Sequence, residues 1–305
     1  MKLKKLLFLK LIVTCTLIGG AFFWVDLDQV FENLARLPWH VALIAILLFS
    51  GQMFLATFRW FRILQVSRPI SLSKILELNI VATCMQNLFL GFIGASLMKI
   101  FLVKRLNIPL TASTIAFVMD RFIILLTLLM MIAITLPFAP SIQWLNVNVL
   151  YGVGSGILIT FFFIVMFRKT LFGYFFQYKK YLPRLNILLK KTFGETLLLS
   201  IGSLVLYFIG IYTMGQYLDT NISFKNILII MPTVTLITSL PISLNGWGVR
   251  ESAMIIGLGL FGIEKEKALA LSILVGILTL LSLVSLAIPT LFYRNRSYLK
   301  KIIRV

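Results

Sequence analysis

Residues 226–262 read NILIIMPTVTLITSLPISLNGWGVRESAMIIGLGLFG, and whether this stretch crosses a bilayer or turns back inside it decides the fold. It is apolar at both ends and interrupted in the middle. Pro241 disfavours helix at Leu240, while Gly246 and Gly248 permit positive φ and close approach of backbone or ligand. A new helix is expected to start near Val249. The piece over 250–262 would be only about 20 Å long as a helix, short of a hydrocarbon core of about 30 Å. It therefore reads as one arm of a re-entrant hairpin. A second interrupted apolar region, 75–101, carries Asn79, Gln86, Asn87, Gly91, Gly94, Ser96 and Lys99 and invites the same reading.

The rest of the chain supplies the membrane. Of its 305 residues 60% are hydrophobic, and a mean hydropathy of +1.00 excludes a water-soluble fold. Candidate spans lie at 6–25, 40–58, 111–136, 149–167, 195–218 and 268–292, each close to the roughly 20 residues that a span needs. Lys2, Lys4, Lys5 and Lys10 before an apolar run suggest a signal peptide. Phe22-Phe23-Trp24, however, stands where a small-residue cleavage pattern belongs, so a retained first helix is expected.

The 29 Lys and Arg against 10 Asp and Glu lie in short clusters between apolar runs rather than along one face, so no nucleic-acid partner is expected and the charge is topological. Let the N-terminus be cytoplasmic and let each interrupted region enter and leave on one side. The N-terminal lysines, Arg59, Arg62, Arg68, Lys74, Lys104, Arg105, the basic stretch 168–191 and the tail from Arg294 then all fall in the cytoplasm. Asp26, Asp28, Glu32, Asp219, Glu264 and Glu266 fall outside, in accord with the positive-inside rule. The expectation is an all-α, polytopic integral membrane protein of the bacterial inner (plasma) membrane, with both termini cytoplasmic and a single transmembrane domain over 1–305. It would have about six spanning helices plus two opposed re-entrant hairpins; eight spanning helices is the alternative. Opposed broken helices that meet near the midplane are a recurrent way to build a translocation site.

Six charged residues fall in apolar surroundings: Lys99, Arg121, Arg250, Glu77, Asp120 and Glu251. Such charges normally face a partner or a water-filled cavity. Asp120 and Arg121 lie about 14 Å into their helix, and neighbours on a helix point about 100° apart, so each calls for a partner on another helix. Salt bridges that lock the bundle and contacts to a ligand both fit. Arg250 stands beside the positive end of the helix expected from Val249, a match for an anionic headgroup such as phosphate. Glu251 in that first turn is open as a counter-charge to Arg250 or Arg121. Lys99 either binds phosphate or snorkels to the interface, and Asn87 and Gln86 suit the freed backbone of a turn. Arg59-Trp60-Phe61-Arg62, at the end of the second span, is expected as an aromatic and cationic collar at the headgroups. Cys15, Cys84 and the lone His40 suggest no metal site, and no cofactor is expected.

Arg59-Trp60, Asn87, the Gly94 to Lys99 turn, Asp120-Arg121 and above all Pro241-Ile-Ser-Leu-Asn-Gly-Trp-Gly-Val-Arg-Glu251 resemble the transmembrane region of lysylphosphatidylglycerol synthases and their stand-alone flippase-like relatives. The resemblance implies movement between leaflets of a lipid with an anionic or modified headgroup, either a phospholipid or a polyprenyl-linked saccharide. Headgroup contacts are then expected at Arg250, Glu251, Arg121, Asp120, Asn245, Gly246, Gly248, Lys99, Asn87 and Arg59. The chain departs from the family at Gly94-Ala95-Ser96, where members often carry a Gly-Gly-Asp turn, and so lacks that carboxylate. It ends at Val305 after a short basic tail, so the soluble aminoacyl-transferring domain is not expected. Two other functions remain open. One is a membrane-embedded headgroup transferase with Asp120 or Glu251 as general base. The other is a non-catalytic subunit of an envelope-lipid synthesis enzyme.

Overall fold

In lipid the backbone must satisfy its own hydrogen bonds, and long apolar runs do so as helices. The computed structural model describes residues 14–16, 18–20, 25–66, 69–85, 99, 102–103, 106, 108–138, 192–239, 243 and 246–292, and these are helical apart from short connections. Helix α1 (Leu27–Ala35) is capped by Asp26, whose carboxylate accepts from the Asp28 amide at 3.0 Å. Pro38 and Pro109 immediately precede α2 (Trp39–Gln65) and α4 (Leu110–Thr135), where a missing N–H costs nothing. Between them lies α3 (Leu72–Met85). Further on come α5 (Phe193–Tyr217), α6 (Phe224–Thr238), α7 (Val249–Gly259) and α8 (Lys265–Phe292).

Four helices are long and apolar enough to cross a membrane, over Trp39–Gln65, Ala112–Phe138, Phe193–Tyr217 and Lys265–Ile288, and the chain is a polytopic membrane protein. They coincide with four of the expected spans. The span expected over 40–58 runs on to Gln65. The expected span 149–167, the tip of the region 75–101 and most of 6–25 lie outside the described residues.

Contacts between helix ends define two faces. At the first, Arg62 near the end of α2 meets Glu195 at the start of α5, 2.6 Å apart. At the second, the rings of His40 and Tyr217 lie edge to face at 5.9 Å, and Lys267 Nζ donates to the Asp219 carbonyl at 3.3 Å. The start of α2, the end of α5 and the start of α8 therefore share the second face. Only the short loop 218–223 separates α5 from α6, and only residues 260–264 separate α7 from α8. Helices α6 and α7 thus start and finish at that same face. With 15 and 11 residues they are about 22 and 16 Å long, and neither reaches across about 30 Å of hydrocarbon.

Two apolar cores follow the same division. Toward the second face Phe49, Phe208, Met214, Ile227, Met231, Met254 and Leu258 are fully buried. Toward the first, Trp60, Ile63, Leu64, Ile75 and Ile108 pack together. Leu47, Ile134, Leu198 and Ile256 are exposed, as side chains facing lipid are. Close approach of α2 and α5 depends on Gly210, where a Cβ would stand 2.6 Å from Phe49 Cε1. Gly210→Ala is expected to cost about 1–3 kcal/mol through overpacking. Gly194→Ala, with open space around it, should cost little. Denaturation midpoints in detergent compare the two.

Candidate functional site

The charges within the bundle gather into two centres. In the first, Arg59 on α2 donates through Nε to Asp120 Oδ1 of α4 at 2.8 Å and through Nη1 to Ser200 Oγ of α5 at 3.1 Å. Arg59 and Asp120 are only 3% and 5% exposed. The partner that Asp120 was expected to find on another helix is therefore Arg59. This corrects the expectation that Arg59-Trp60-Phe61-Arg62 forms a collar at the headgroups. Because α2 continues to Gln65, Arg59, Trp60 and Phe61 fall inside the packing of α2, α3, α4 and α5, and only Arg62 stays partly exposed.

Further polar and cationic side chains lie along the same helices. Asn79 Nδ2 on α3 donates to Thr57 Oγ1 at 2.6 Å, and that hydroxyl donates to the Met53 carbonyl at 2.7 Å. The Lys99 ammonium stands over the Trp60 ring, 5.4 Å from its centroid, and the Arg121 guanidinium stands over Phe117 at 5.2 Å. Arg59, Lys99, Asp120 and Arg121 act on one another electrostatically. One turn nearer the first face, Arg62 bridges to Glu195 and donates to Gln65 Oε1 at 3.2 Å.

The second centre lies at the start of α7, about 16 Å in from the second face. Gly246 and Gly248 have φ of 81° and 82°, the left-handed backbone anticipated there. Glu251 closes the helix end on itself. Its Oε2 accepts from the Gly248 amide at 2.5 Å, and its Oε1 accepts from Arg250 Nη2 at 2.7 Å and from Ser272 Oγ at 3.2 Å. Arg250 Nε also reaches Ser272 Oγ at 3.2 Å, and the guanidinium lies 4.7 Å from the Trp247 ring centroid. On α8, one turn beyond Ser272, Gly276 leaves the room that the guanidinium fills, for a Cβ there would stand 2.5 Å from Nη2.

Of the two counter-charge roles open to Glu251, the structure assigns Arg250. Adjacent residues pair here because α8 offers a hydroxyl and a gap that fold the arginine back. The Glu251 carboxylate consequently occupies the helix end at which a headgroup phosphate was expected. Arg121 belongs to the first centre, with Asp120, Arg59 and Lys99 among the charges that act on it, and Arg250 to the second. Asn87 and Asn245 lie outside the described residues.

Sequence reading missed Ser200, Ser272 and Gly276. Ser272 and Gly276, four residues apart in an apolar helix, carry a weak signal of helix-to-helix contact. Nothing distinguishes Ser200 from other small residues of α5. Replacing Asp120 by Asn would leave Arg59 buried without its counter-charge and is expected to cost about 3–5 kcal/mol. Glu195→Gln, at the partly exposed Arg62 pair, should cost under about 1 kcal/mol. Unfolding in detergent reads both.

The model of the family described as the lysylphosphatidylglycerol synthase TM region matches residues 7–287, nearly the whole chain. No curated protein and no solved structure matches it. An all-helical membrane bundle with the Asp120-Arg121 and Arg250-Glu251 pairs set among its apolar helices, matched along its length by that model, belongs to the lysylphosphatidylglycerol synthase transmembrane region family.

Proposed function

We propose that the chain is a flippase-like lipid transporter that moves a phospholipid or a polyprenyl-linked lipid with an anionic headgroup between the leaflets of the bacterial inner membrane. The observation that carries this reading is the position of Arg250 and Glu251. They stand at the start of a helix that begins within the apolar layer, at the end of two arms too short to span it. Polar backbone at that depth is tolerated where it lines a path or is covered by protein.

The topology proposed is six spans with two re-entrant hairpins entering from opposite faces, the first face and both termini being cytoplasmic. The hairpin of the second face is supported by α6 and α7. Its counterpart is supported by α3, whose 14 residues follow directly on the first-face end of α2. Both carboxylates that a headgroup transferase would use as general base are engaged as acceptors, Asp120 with Arg59 and Glu251 with Arg250, Ser272 and the Gly248 amide. Those contacts favour binding over proton abstraction.

The test is protein reconstituted into vesicles with a fluorescent anionic lipid, scored by the fraction that a membrane-impermeant quencher fails to reach. Arg250→Ala and Arg121→Ala are each expected to slow lipid movement by at least about tenfold, equivalent to about 1.4 kcal/mol. Lys225→Ala near the second face should leave it unchanged. Wild-type rates in both arginine variants would refute the reading.

A further inference from the structure

Helix α1 sorts its residues into three stripes, each with members four apart in sequence and so running along the helix axis. Val30 and Leu34 form the first and pack into the apolar core of the second face, with Asn33 buried beside them. Leu27, Phe31 and Ala35 form the second and are exposed, Leu27 by 40% and Phe31 by 64%. Asp28, Glu32 and Arg36 form the third, also exposed, with Arg36 paired to Glu32 at 3.6 Å. At about 100° per residue, the order round the helix is bundle, apolar stripe, charged stripe and then Gln29, which leads back to the bundle. The exposed apolar stripe suits lipid and the charged stripe suits water. All three surroundings meet only along the edge of the bundle at the membrane boundary.

The place of α1 in the fold agrees with that order. It packs on α8, whose start lies at the second face. Only Arg36, Leu37 and Pro38 separate its end from Trp39, which opens the membrane-crossing helix α2 at the same face. Trp39 is 79% exposed, and Leu43 and Leu47, each four residues further on, are exposed in line with it, so contact with lipid starts at the level of Trp39. Helix α1 is about 14 Å long and carries charge along its whole length, so it lies along that level instead of entering the hydrocarbon. Its charge differs in sign from that of basic membrane-surface helices. Three carboxylates, Asp26, Asp28 and Glu32, stand against Arg36 alone, a net of two negative charges, so anionic lipid is repelled rather than recruited.

We infer that α1 docks on the lipid surface of the second-face leaflet, with Leu27 and Phe31 set into the boundary between headgroups and acyl chains, and that apolar contact rather than attraction to anionic headgroups holds it there. Such docking is independent of any movement of lipid by the bundle.

The experiment uses the full chain in phosphatidylcholine nanodiscs, with Cys15→Ser and Cys84→Ala to remove the native thiols. Single nitroxide labels are attached to Leu27→Cys, Asp28→Cys, Phe31→Cys and Glu32→Cys. Power saturation reads the access of oxygen, which concentrates in lipid, and of a nickel chelate, which stays in water. The oxygen-to-nickel ratio at positions 27 and 31 is expected to be at least about fivefold that at 28 and 32. Added phosphatidylglycerol or salt should leave it unchanged. Nickel access at 27 and 31 equal to that at 28 and 32 overturns the docking. Protection of position 31 from both probes, with dipolar broadening between labels, assigns the stripe to a second copy of the chain and overturns it as well. A ratio at 31 that rises with phosphatidylglycerol and falls with salt overturns the apolar basis. Should a cysteine variant fail to fold, a benzophenone amino acid in place of Phe31 carries the test in the otherwise native chain. Photocrosslinks to phosphatidylcholine are then expected, and crosslinks to protein alone, or none, overturn the docking.

Discussion

A guanidinium enclosed by apolar helices keeps its place only while a carboxylate holds it, and the contact between Arg59 and Asp120 is the point from which the first-face half of the bundle is organised. It joins α2 to α4, and through Ser200 it joins both to α5. The apolar packing of Trp60, Ile63 and Leu64 is set by the same register, since these residues follow Arg59 along one helix. Lys99 and Arg121 are among the charges that act on Asp120. The Arg59–Asp120 pair is a structural element and an electrostatic one at once.

The second centre solves a similar problem with different means. Arg250 and Glu251 are neighbours in sequence, so their attraction fixes no distance between helices. What binds them to the bundle is neutral, the hydroxyl of Ser272 and the vacancy over Gly276. Glu251 also completes the end of α7, accepting from the amide of Gly248, the residue that caps it. One carboxylate thus serves a helix end, a counter-charge and a helix contact.

Much of this was legible in the sequence, and the reasons differ by element. Four spans could be placed because a run of about 20 apolar residues has few other folds. Gly246 and Gly248 announced a left-handed turn because few other residues adopt one cheaply. That Asp120 needs a partner on another helix followed from helical geometry, but the identity of that partner did not. Arg59 sits beside Trp60 and Arg62, a pattern that reads as an interfacial anchor unless the true end of the helix is known, and the end of an apolar run does not mark it. Ser200, Ser272 and Gly276 were invisible for a related reason. Their roles are set by what faces them across a helix interface, a distance that sequence spacing does not encode.

Arg59 and Arg62, one turn apart on α2, grip carboxylates on two different helices, Asp120 on α4 and Glu195 on α5. Rotation of α2 about its axis, or sliding along it, would break both grips together. Mechanically, α2, α4 and α5 behave as a single frame at that end. Helix α7 carries its charges internally and is held to α8 through the Ser272 hydroxyl and to the core through Met254 and Leu258, so packing rather than an ion pair sets its place. The frame is therefore fastened by charge and the pair α6–α7 by the fit of buried apolar side chains such as Met231 and Met254.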